Sequence, residues 1–308
     1  MSFSGRLIVM AGPTASGKTD AAYALAELTG GVIVSADCYQ CYRRMDIGTA
    51  KPPKYMTEHI RHYMIDEYDV TYPVTAFDYS RRALDYMDSL GNRTVILTGG
   101  SGLYIDSIVY SSYEFSGENT DLSYRRYLTE IAEAGGADAL YAKLMEVDPE
   151  YAASTHKNNI KRVMRALEFH HDTGNKMSSA KQERVMRFPN THYHALSVSR
   201  PLLYERINAR VDRMMEEGLA QEVQELYRDY PDRSLTAFKA IGYKELISAI
   251  EGETTIDEAV RLIKKRSRNY AKRQYTWFNA NKDVRWIDAD EMNSAQIADM
   301  IFKGGRNV

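Results

Sequence analysis

A glycine-rich segment near the N-terminus has the residue types and spacing of a phosphate-binding loop. Residues 12–19 read GPTASGKT and match the pattern G-x-x-x-x-G-K-[ST]. Glycines let the backbone curl so that successive N–H groups point inward, and the following helix adds partial positive charge. Lys18 would neutralise phosphate charge, and the Thr19 hydroxyl is a ligand for Mg²⁺. The motif predicts a diphosphate or triphosphate site formed by Gly12, Pro13, Thr14, Ala15, Ser16, Gly17, Lys18 and Thr19.

The acidic residues near this loop argue against hydrolysis. Enzymes that hydrolyse nucleotides on such a loop usually carry a second acid at the end of a neighbouring buried strand. Here the strand predicted at 94–97 runs into residues 98–101, which contain no acid. Asp37 ends another predicted strand, at the sheet edge where ligands bind. From position alone, Asp37 is either the N-cap of a following helix or a general base facing the phosphate site.

The elements that must position these residues alternate as in an α/β protein. Apolar runs predict buried strands at 7–10, 32–34, 94–97, 194–198 and 284–287. Helical patterns cover the segment up to about residue 28 and residues 76–90, 202–227 and 256–278. This alternation predicts a parallel sheet with helices on both faces.

A polar loop at 116–121 interrupts the alternation. From residue 122 to about 181 the chain reads as successive amphipathic helices without a convincing strand. We therefore predict a helical insertion over residues 112–190, placed within a catalytic core of residues 1–111 and 191–308.

Composition limits the class of protein. The 308 residues suit about two domains, and 44% apolar with 27% charged residues excludes a disordered or fibrous chain. Two cysteines cannot staple a fold of this size. The run at 7–11 is too short for a signal peptide, and no window approaches the about 18 apolar residues of a membrane span. We expect a soluble, cytoplasmic protein.

A net charge of −2 argues against a nucleic-acid binder, but the distribution of the charges does not. Residues 261–273 contain seven basic residues and no acid. On a helix, one continuous stripe is formed by Arg261, Lys265, Arg268 and Lys272. A second acid-free stripe is formed by Lys157, Lys161 and Arg165, with Arg162 beside it. One such stripe would be an ordinary solvated helix face, whereas two of them predict contact with RNA phosphates.

Four aromatic residues follow the first stripe or lie within it. They are Tyr270, Tyr275, Trp277 and Phe278. We interpret them as core residues and not as platforms on which bases stack.

Seven segments together resemble the tRNA dimethylallyltransferase family. They are GPTASGKT at 12–19, SADCYQ at 35–40, YRRMDIGTAKP at 42–52, TGGSGLY at 98–104, NNIKRVMRAL at 158–167, AIGYK at 240–244 and YAKRQYTWF at 270–278. They recur in order over nearly the whole chain. The run MDIGTAKP at 45–52 is the most diagnostic, because plain P-loop kinases do not share it. The chain lacks the C-terminal Cys/His cluster of many eukaryotic relatives, so it resembles the bacterial form.

The resemblance implies a P-loop NTPase-like parallel sheet flanked by helices, with an all-helical insertion domain. The family transfers a dimethylallyl group from dimethylallyl diphosphate to N6 of the adenosine 3′ of the tRNA anticodon. The residue chemistry fits, because an adenine amine is a poor nucleophile that needs a base, and a departing diphosphate needs donors and Mg²⁺. No poised water is required, which explains the missing second acid. We expect a monomer with tRNA and dimethylallyl diphosphate as partners.

The resemblance also assigns site residues. Asp37 matches the catalytic base, Thr19 holds Mg²⁺, and either Arg206 or Arg210 contacts the diphosphate beside Lys18. Ser101 lies near the adenine, where most members have Thr. The channel for the flipped base is lined by Asp37, Cys38, Tyr39, Gln40, Lys239, Ala240, Ile241, Gly242, Tyr243 and Lys244. The residues expected to contact the anticodon arm are Arg125, Lys161, Arg162, Val163, Met164 and Arg165.

Cys38 is a departure from the family, in which Ser usually follows the catalytic Asp. With Cys41 it forms a C-x-x-C pattern, and His59 and His62 could extend this to a zinc site. However, the H-x-x-H spacing is tighter than usual, and no thioredoxin-like context surrounds the pair. We interpret the cysteines as two small residues beside the adenine site. Whether oxidation affects activity depends on how exposed and how acidic their thiols are.

Three other functions account for parts of the pattern. A P-loop kinase of small metabolites would share residues 12–19 but not the run at 45–52. A prenyltransferase acting on free AMP would need neither the two basic stripes nor the insertion. A non-catalytic nucleotide-binding module would be unaffected by Asp37→Asn.

Overall fold

The chain forms two compact units. One comprises Met1–Val109 with Met186–Val308, and the other Tyr110–Val185. The structure is a computed structural model that describes residues 3–111, 122–179 and 184–304. The helical unit begins and ends a few residues before the insertion predicted at 112–190, because residues 186–190 lead into a core strand. Within the described ranges, no helix is both long and apolar enough to span a membrane.

The core is built on a parallel sheet, as predicted. In the described residues its strands are β1 (Leu7–Ala11), β2 (Val32–Ser35), β3 (His62–Tyr63), β4 (Val95–Gly99), β5 (Thr191–Ser197) and β6 (Arg285–Asp288). Their order is β3-β2-β4-β1-β5-β6, and all neighbours pair in parallel. β1 therefore lies inside the sheet, and its five residues are completely buried. Burial on both faces explains why this strand is an unbroken apolar run.

Helices cover both faces of the sheet or belong to the second unit. In the described residues they are α1 (Lys18–Thr29), α2 (Lys54–His59), α3 (Ala76–Leu90), α4 (Gly102–Val109), α5 (Leu122–Val147), α6 (Pro149–Ala153), α7 (Ile160–Thr173), α8 (Arg200–Glu216), α9 (Leu219–Asp229), α10 (Tyr243–Ile250), α11 (Ile256–Asn279) and α12 (Ser294–Gly304). A 3₁₀ turn spans Ala237–Lys239. The fold class predicted from the alternation is confirmed.

The boundaries of α3 show how local sequence sets an element. Thr75 Oγ1 accepts a hydrogen bond from the Asp78 N–H at 3.1 Å, and Asp78 Oδ2 accepts one from the Thr75 N–H at 3.0 Å. This reciprocal cap begins the helix at Ala76, and Gly91 follows its last residue. The helix predicted over 76–90 is confirmed at both ends. The short elements α2, β3, α4 and α10 were not predicted, since so few residues show no period, and α12 was missed as well. The helix predicted over 202–227 is two helices, because Gly218 with a φ of 101° separates α8 from α9.

The helical unit has its own apolar core. Leu128, Leu140 and Leu144 of α5 pack with Val163 and Leu167 of α7, and all five are buried. The long helix α5 is interrupted at residue 136, a glycine with a φ of 67°. The helices predicted from residue 122 onward are confirmed where the structure describes them, and residues 180 and 181 lie outside its described ranges.

Candidate active site

The loop between β1 and α1 has the backbone geometry of an anion site. Gly12, Ala15 and Gly17 have positive φ values of 152°, 63° and 86°. At Gly12 an added Cβ would also lie only 3.0 Å from Ser16 Oγ and 3.2 Å from the Leu196 carbonyl oxygen. Turns of this kind form a concave nest of N–H groups, and the N-terminus of α1 adds partial positive charge. The motif therefore has the strand–loop–helix setting that phosphate binding requires.

Two side chains of this loop are incompletely satisfied. Lys18 Nζ donates a hydrogen bond to the Pro13 carbonyl oxygen at 3.1 Å. Burial, together with the charge of Arg210, lowers the pKa of Lys18 to about 8, while Asp37 acts in the opposite direction. The buried Ser16 Oγ has no hydrogen-bond partner among the described residues. A bound anion would stabilise the charged ammonium and offer the hydroxyl an acceptor.

Arg210 reaches the phosphate loop from helix α8. Its NH1 donates a hydrogen bond to Thr14 Oγ1 at 3.2 Å, and it lines the same small cavity as the loop. Arg206 lies one turn earlier. It lines neither this small cavity nor the larger cavity next to it. The pKa of Asp290 is lowered mainly by hydrogen bonds from Ser199, and Arg206 adds to this effect. Of the two arginines, Arg210 is therefore the one placed to contact a phosphate.

Asp37 follows β2 and lies beside the phosphate loop. Its Oδ1 accepts a hydrogen bond from the Tyr39 N–H at 2.9 Å, so the carboxylate caps a tight turn. The next helix begins only at Lys54, and the interpretation as a helix N-cap is wrong. Within the described part of the chain, Oδ2 has no hydrogen-bond partner. That oxygen is free to accept a proton.

The loop after β4 supports this turn from the neighbouring strand. The Ser101 N–H donates to the Ala36 carbonyl oxygen at 3.2 Å, and Ser101 Oγ accepts from the Cys38 N–H at 3.3 Å. An added Cβ at Gly99 would lie 2.1 Å from the Ala36 carbonyl oxygen, so this approach requires glycine. Residues 98–101 contain no acid. Through these two hydrogen bonds, the loop after β4 holds the backbone on either side of Asp37 in place.

The run at 45–52 is held by a carboxylate that sequence analysis missed. Glu222 on α9 accepts hydrogen bonds from the three successive N–H groups of residues 46–48, at 2.8, 2.8 and 3.1 Å. The Tyr243 hydroxyl donates to the same carboxylate at 2.6 Å. An added Cβ at Gly48 would lie 2.5 Å from the Tyr243 ring, which explains the glycine. Glu222 lies in an ordinary amphipathic helix, so no sequence signal identifies it.

Gln40 connects the same run to the end of β2. Its Oε1 accepts a hydrogen bond from Ser35 Oγ at 2.7 Å, while its Nε2 donates to the carbonyl oxygens of Thr49 and Ala50 at 3.2 and 3.1 Å. Gln40 is thus committed to organising the loop around the site.

Two neighbouring cavities occupy this part of the core unit. The smaller, of about 60 Å³, is lined by Lys18 and Thr19 of the phosphate loop. The larger, of about 320 Å³, has a mainly apolar wall formed by Ile207, Val211, Met214, Leu219 and Ile263. Five residues line both cavities, namely Thr14, Asp37, Thr49, Arg210 and Tyr270. A pocket lined by cationic side chains therefore adjoins an apolar cleft, and the Asp37 carboxylate lies at the boundary between them.

Most residues predicted for the base channel line the larger cavity. They are Asp37, Cys38, Tyr39, Lys239, Ala240, Ile241, Gly242 and Lys244. Gln40 lines the smaller one, and the fully buried Tyr243 supports Glu222 from below the surface. Ser101 lines neither cavity and acts on the backbone instead.

The predicted tRNA contacts of the insertion lie on α5 and α7 of the helical unit. Lys161 and Arg162 are exposed and Arg165 is half-buried, and among the described residues none of the three forms an ion pair. Val163 is fully buried and Met164 packs against the same core, so they support the helix.

Two cations of the insertion have acidic partners. Arg125 Nε and NH2 bind Glu168 at 2.7 and 3.0 Å, and this carboxylate is buried. Lys157 Nζ lies 2.6 Å from Asp138 Oδ1. The stripe predicted as acid-free thus loses one charge to an acid supplied by α5. The sequence window could not show this, because the acid is distant in the chain.

The stripe on α11 is only partly free. Arg261 pairs with Glu258 at 2.5 Å, and Arg268 NH1 donates to Asn208 Oδ1 at 2.6 Å. Lys265 and Lys272 are exposed, and no ion pair engages them among the described residues.

The aromatic residues of α11 divide into two groups. Phe278 is fully buried, and Tyr275 stacks on Trp286 at 5.6 Å between ring centroids. Tyr270 is half-buried and lines both cavities, whereas Trp277 is exposed, so the interpretation of Trp277 as a core residue is wrong. Trp277 donates its indole N–H to Asp106 Oδ2 at 3.0 Å and remains partly exposed.

Burial governs the chemistry of the two cysteines. Both are free thiols, and Cys41 is buried. Burial, reinforced by Asp37, raises the pKa of Cys38 to about 12 and raises the pKa of Cys41 as well. No cluster of three or more His, Cys, Asp or Glu side chains capable of holding a metal occurs in the ranges that the structure describes. Cys38 lines the larger cavity, in agreement with the interpretation of the cysteines as two small residues beside the site.

Comparison with known proteins identifies the family. A family model described as IPP transferase matches residues 40–281. The chain belongs to the IPP transferase family. The family resemblance predicted from the seven segments is thus confirmed.

Relatives and solved structures of this family cover nearly the whole chain. A tRNA dimethylallyltransferase of Acetivibrio thermocellus is 42% identical over 94% of this chain and 93% of its own length. That of Geobacillus thermodenitrificans is 43% identical over 92% and 90%. A full-length tRNA isopentenylpyrophosphate transferase from Bacillus halodurans is similar with a TM-score of 0.72 and 34% identity, over 98% and 97% of the two chains. A eukaryotic dimethylallyltransferase acting on tRNA gives a TM-score of 0.81 and 27% identity, over 94% of this chain and 75% of its own.

The lowered pKa of Lys18 makes anion binding dependent on pH. Since the free ammonium loses its proton near pH 8, and a bound anion favours the charged form, affinity for inorganic diphosphate falls as pH rises above about 8. The decrease approaches about tenfold per pH unit. Calorimetric titration between pH 6.5 and 9.5 measures it. Lys18→Arg is the matched control, because arginine keeps its charge. Parallel curves for the two proteins would contradict the assignment.

The raised pKa of Cys38 predicts an unreactive thiol. At pH 8 its thiolate fraction is about a thousandfold below that of an ordinary cysteine, so alkylation by iodoacetamide is slower by a similar factor. Peptide mapping by mass spectrometry measures the rate at each cysteine, with the urea-unfolded chain as control. Turnover is expected to be the same with and without reductant. Alkylation of the folded protein with a midpoint between pH 8 and 9 would contradict this prediction.

Proposed function

We propose that this member of the IPP transferase family transfers a dimethylallyl group from dimethylallyl diphosphate to N6 of the adenosine 3′ of the tRNA anticodon. The observation that carries the proposal is the boundary between the two cavities, which Asp37 and Arg210 both line. One side has the cations that a diphosphate needs, and the other has an apolar wall suited to a prenyl group and a base. The names of the bacterial relatives support the same reaction.

The diphosphate end of the donor lies in the small cavity. Amides of the phosphate loop, the Lys18 ammonium and the Arg210 guanidinium face the oxygens on which negative charge develops as the C1–O bond breaks. Preorganised donors of this kind contribute about 10²–10³ each to the rate. No water needs to be activated, which agrees with residues 98–101 carrying no acid.

Mg²⁺ suits the same pocket. The Thr19 hydroxyl lines the small cavity, and the buried Ser16 hydroxyl has no partner among the described residues. A magnesium ion usually takes few protein ligands and completes its shell with phosphate oxygens and waters. Thr19 would hold the ion, which when bound neutralises charge on the departing diphosphate.

Asp37 supplies the base at the other side of the boundary. As the adenine N6 forms its bond to C1 of the dimethylallyl group, the C1–O bond breaks and diphosphate leaves. The amino proton passes from N6 to the free oxygen of Asp37. The hydrogen bond from the Tyr39 N–H keeps the carboxylate oriented during this transfer.

The RNA is held outside the chemical site by basic side chains. Lys161, Arg162 and Arg165 of the helical unit bind the phosphates of the anticodon arm. In the core unit, the exposed Lys265 and Lys272 of α11 are available for RNA phosphates. The target base lies in a loop of the RNA. It has to leave its stack so that its N6 can reach the donor. The cleft that receives it is lined by Lys239, Ala240, Ile241, Gly242 and Lys244.

A single labelling assay separates this function from its alternatives. The protein is incubated with labelled dimethylallyl diphosphate and either unmodified tRNA or AMP, and in parallel with γ-labelled ATP and each acceptor. Label is expected in tRNA only, in the presence of Mg²⁺. Label in AMP would assign a cytokinin-type prenyltransferase, and phosphate transfer alone would assign a kinase.

Replacement of the base tests the mechanism. Asp37→Asn keeps the oxygen that accepts from the Tyr39 N–H and removes the proton acceptor, so kcat is expected to fall by about 10²–10⁴ while the Kd for the donor changes little. Single-turnover transfer to tRNA and donor binding are measured together. Asp299→Asn, which breaks only a surface ion pair with Lys303, is the control. A kcat within tenfold of the unmodified protein would exclude Asp37 as the base.

Charge reversal on α7 tests the RNA contact. Lys161→Glu with Arg165→Glu is expected to weaken tRNA binding by at least about tenfold at low salt, and to flatten its dependence on salt. Donor affinity should not change. The control is the double variant Lys282→Glu with Lys303→Glu. It changes the net charge by the same amount, at two exposed residues of the core unit. Equal tRNA affinity for both double variants across a salt series would refute this assignment.

A further inference from the structure

Gln274 makes two hydrogen bonds that join separate parts of the site. It lies on α11 with 4% of its surface exposed. Its Oε1 accepts from the Thr14 N–H at 2.9 Å, and its Nε2 donates to the Gly100 carbonyl oxygen at 3.0 Å. One amide therefore connects the phosphate loop with the loop after β4, and neither motif contains it.

Only an uncharged amide fits this pair of partners. One partner is a donor and the other an acceptor, and both are backbone groups. A carboxylate would accept from Thr14 but turn its second oxygen toward the Gly100 carbonyl. An apolar side chain would leave two buried polar groups unpaired. The fit is also close, because an added Cβ at Gly100 would lie 2.0 Å from the Gln274 Nε2.

Both partners are directly linked to groups that do chemistry. Thr14 accepts a hydrogen bond from Arg210 through its side chain, so Gln274 and Arg210 hold the same residue from two sides. Gly100 precedes Ser101, whose hydroxyl accepts from the Cys38 N–H beside Asp37. The amide thus lies between the arginine of the diphosphate pocket and the turn that carries the base.

We propose that Gln274 is a positioning residue, which holds the two loops in register so that Arg210 meets the diphosphate while Asp37 meets the adenine. The role rests on the proposed function and assigns a task to a residue that lies within the segment at 270–278 but to which the family resemblance gave none. Since the Thr14 N–H is engaged by Gln274, this amide does not face the anion. The diphosphate is bound by the remaining groups of the loop in one orientation.

A carboxylate at this position provides a switchable test. In Gln274→Glu the protonated side chain has one oxygen to accept from Thr14 and one O–H to donate to Gly100, whereas the ionised side chain does not. Gln274→Ala makes neither bond at any pH. We expect both variants to lose at least about tenfold in kcat at pH 8.5, and Gln274→Glu to recover as pH falls toward 5.5.

Other titratable groups near the Gln274 amide are controlled for by dividing the activity of each variant by that of the unmodified protein at the same pH. The charged or titratable side chains that line its cavity are Lys18, Asp37, His62, Arg210 and Tyr270. They are present in every variant, so activity relative to the unmodified protein reports the introduced carboxyl together with its effect on these groups, and the Gln274→Ala ratio reports the loss of the amide without a new charge. The ratio for Gln274→Glu should rise at least about fivefold from pH 8.5 to 5.5, and that for Gln274→Ala should stay flat. A flat ratio for Gln274→Glu overturns the proposal.

A double-mutant cycle separates positioning from a general structural effect. If Gln274 acts through Arg210, Gln274→Ala adds little to the loss caused by Arg210→Lys, while KM for tRNA stays within about twofold. Independent losses that multiply would overturn the proposal. Melting temperatures show whether each variant is folded. Should Gln274→Ala not fold, Gln274→Met fills the same space without either hydrogen bond.

Controls separate failure of this role from failure of the proposed function. Gln296→Glu, at an exposed position of α12, introduces the same charge and should behave like the unmodified protein at every pH. If the unmodified protein and this control do not transfer the dimethylallyl group to tRNA, the proposed function is wrong. In that case, calorimetry with inorganic diphosphate still tests the role of Gln274. Gln274→Ala is expected to bind diphosphate more weakly than the unmodified protein, and equal binding by the two proteins would contradict the role.

Discussion

Two cations held beside one carboxylate are the constraint on which the core unit depends. Lys18 and Arg210 line the same small cavity as Asp37, and burial with their mutual repulsion lowers the pKa of Lys18 to about 8. An arrangement with excess positive charge is costly without an anion and favourable with one that carries two or more negative charges. This excess of positive charge suits a ligand that carries more than one negative charge.

The surrounding loops are ordered by side chains that bind backbone groups. Glu222 accepts three successive N–H groups, Gln274 bridges two loops, and Gln40 donates to two carbonyl oxygens. Hydrogen bonds to a charged group contribute about 1.5–3 kcal/mol each, and neutral ones about 1 kcal/mol. Irregular segments such as residues 45–52 can therefore be rigid without belonging to a helix or strand. This rigidity keeps the two cavities in a fixed relation within the core unit.

Long periodic elements were predictable because their signals are local. The strand at 7–10 and the helix at 76–90 need only an apolar run, a period and a cap, all of which lie within a few neighbouring residues. The two-residue strand β3 carries no such signal. Side-chain roles were predictable only where a motif spans them. Val163 and Tyr243 match family segments yet are buried supports, because a motif records a residue without its direction.

By itself, the sequence determined the phosphate loop, the parallel α/β fold, the helical unit and the family, since each depends on patterns contiguous in the chain. Tertiary structure alone decided that Arg210 and not Arg206 faces the loop, and that Asp37 caps a turn. It also brought in Glu222 and Gln274, which lie far along the chain from the segments that they hold. The physical reason is that a hydrogen bond or a charge interaction depends on distance and direction in space, and neither is encoded in the spacing of residues on separate elements.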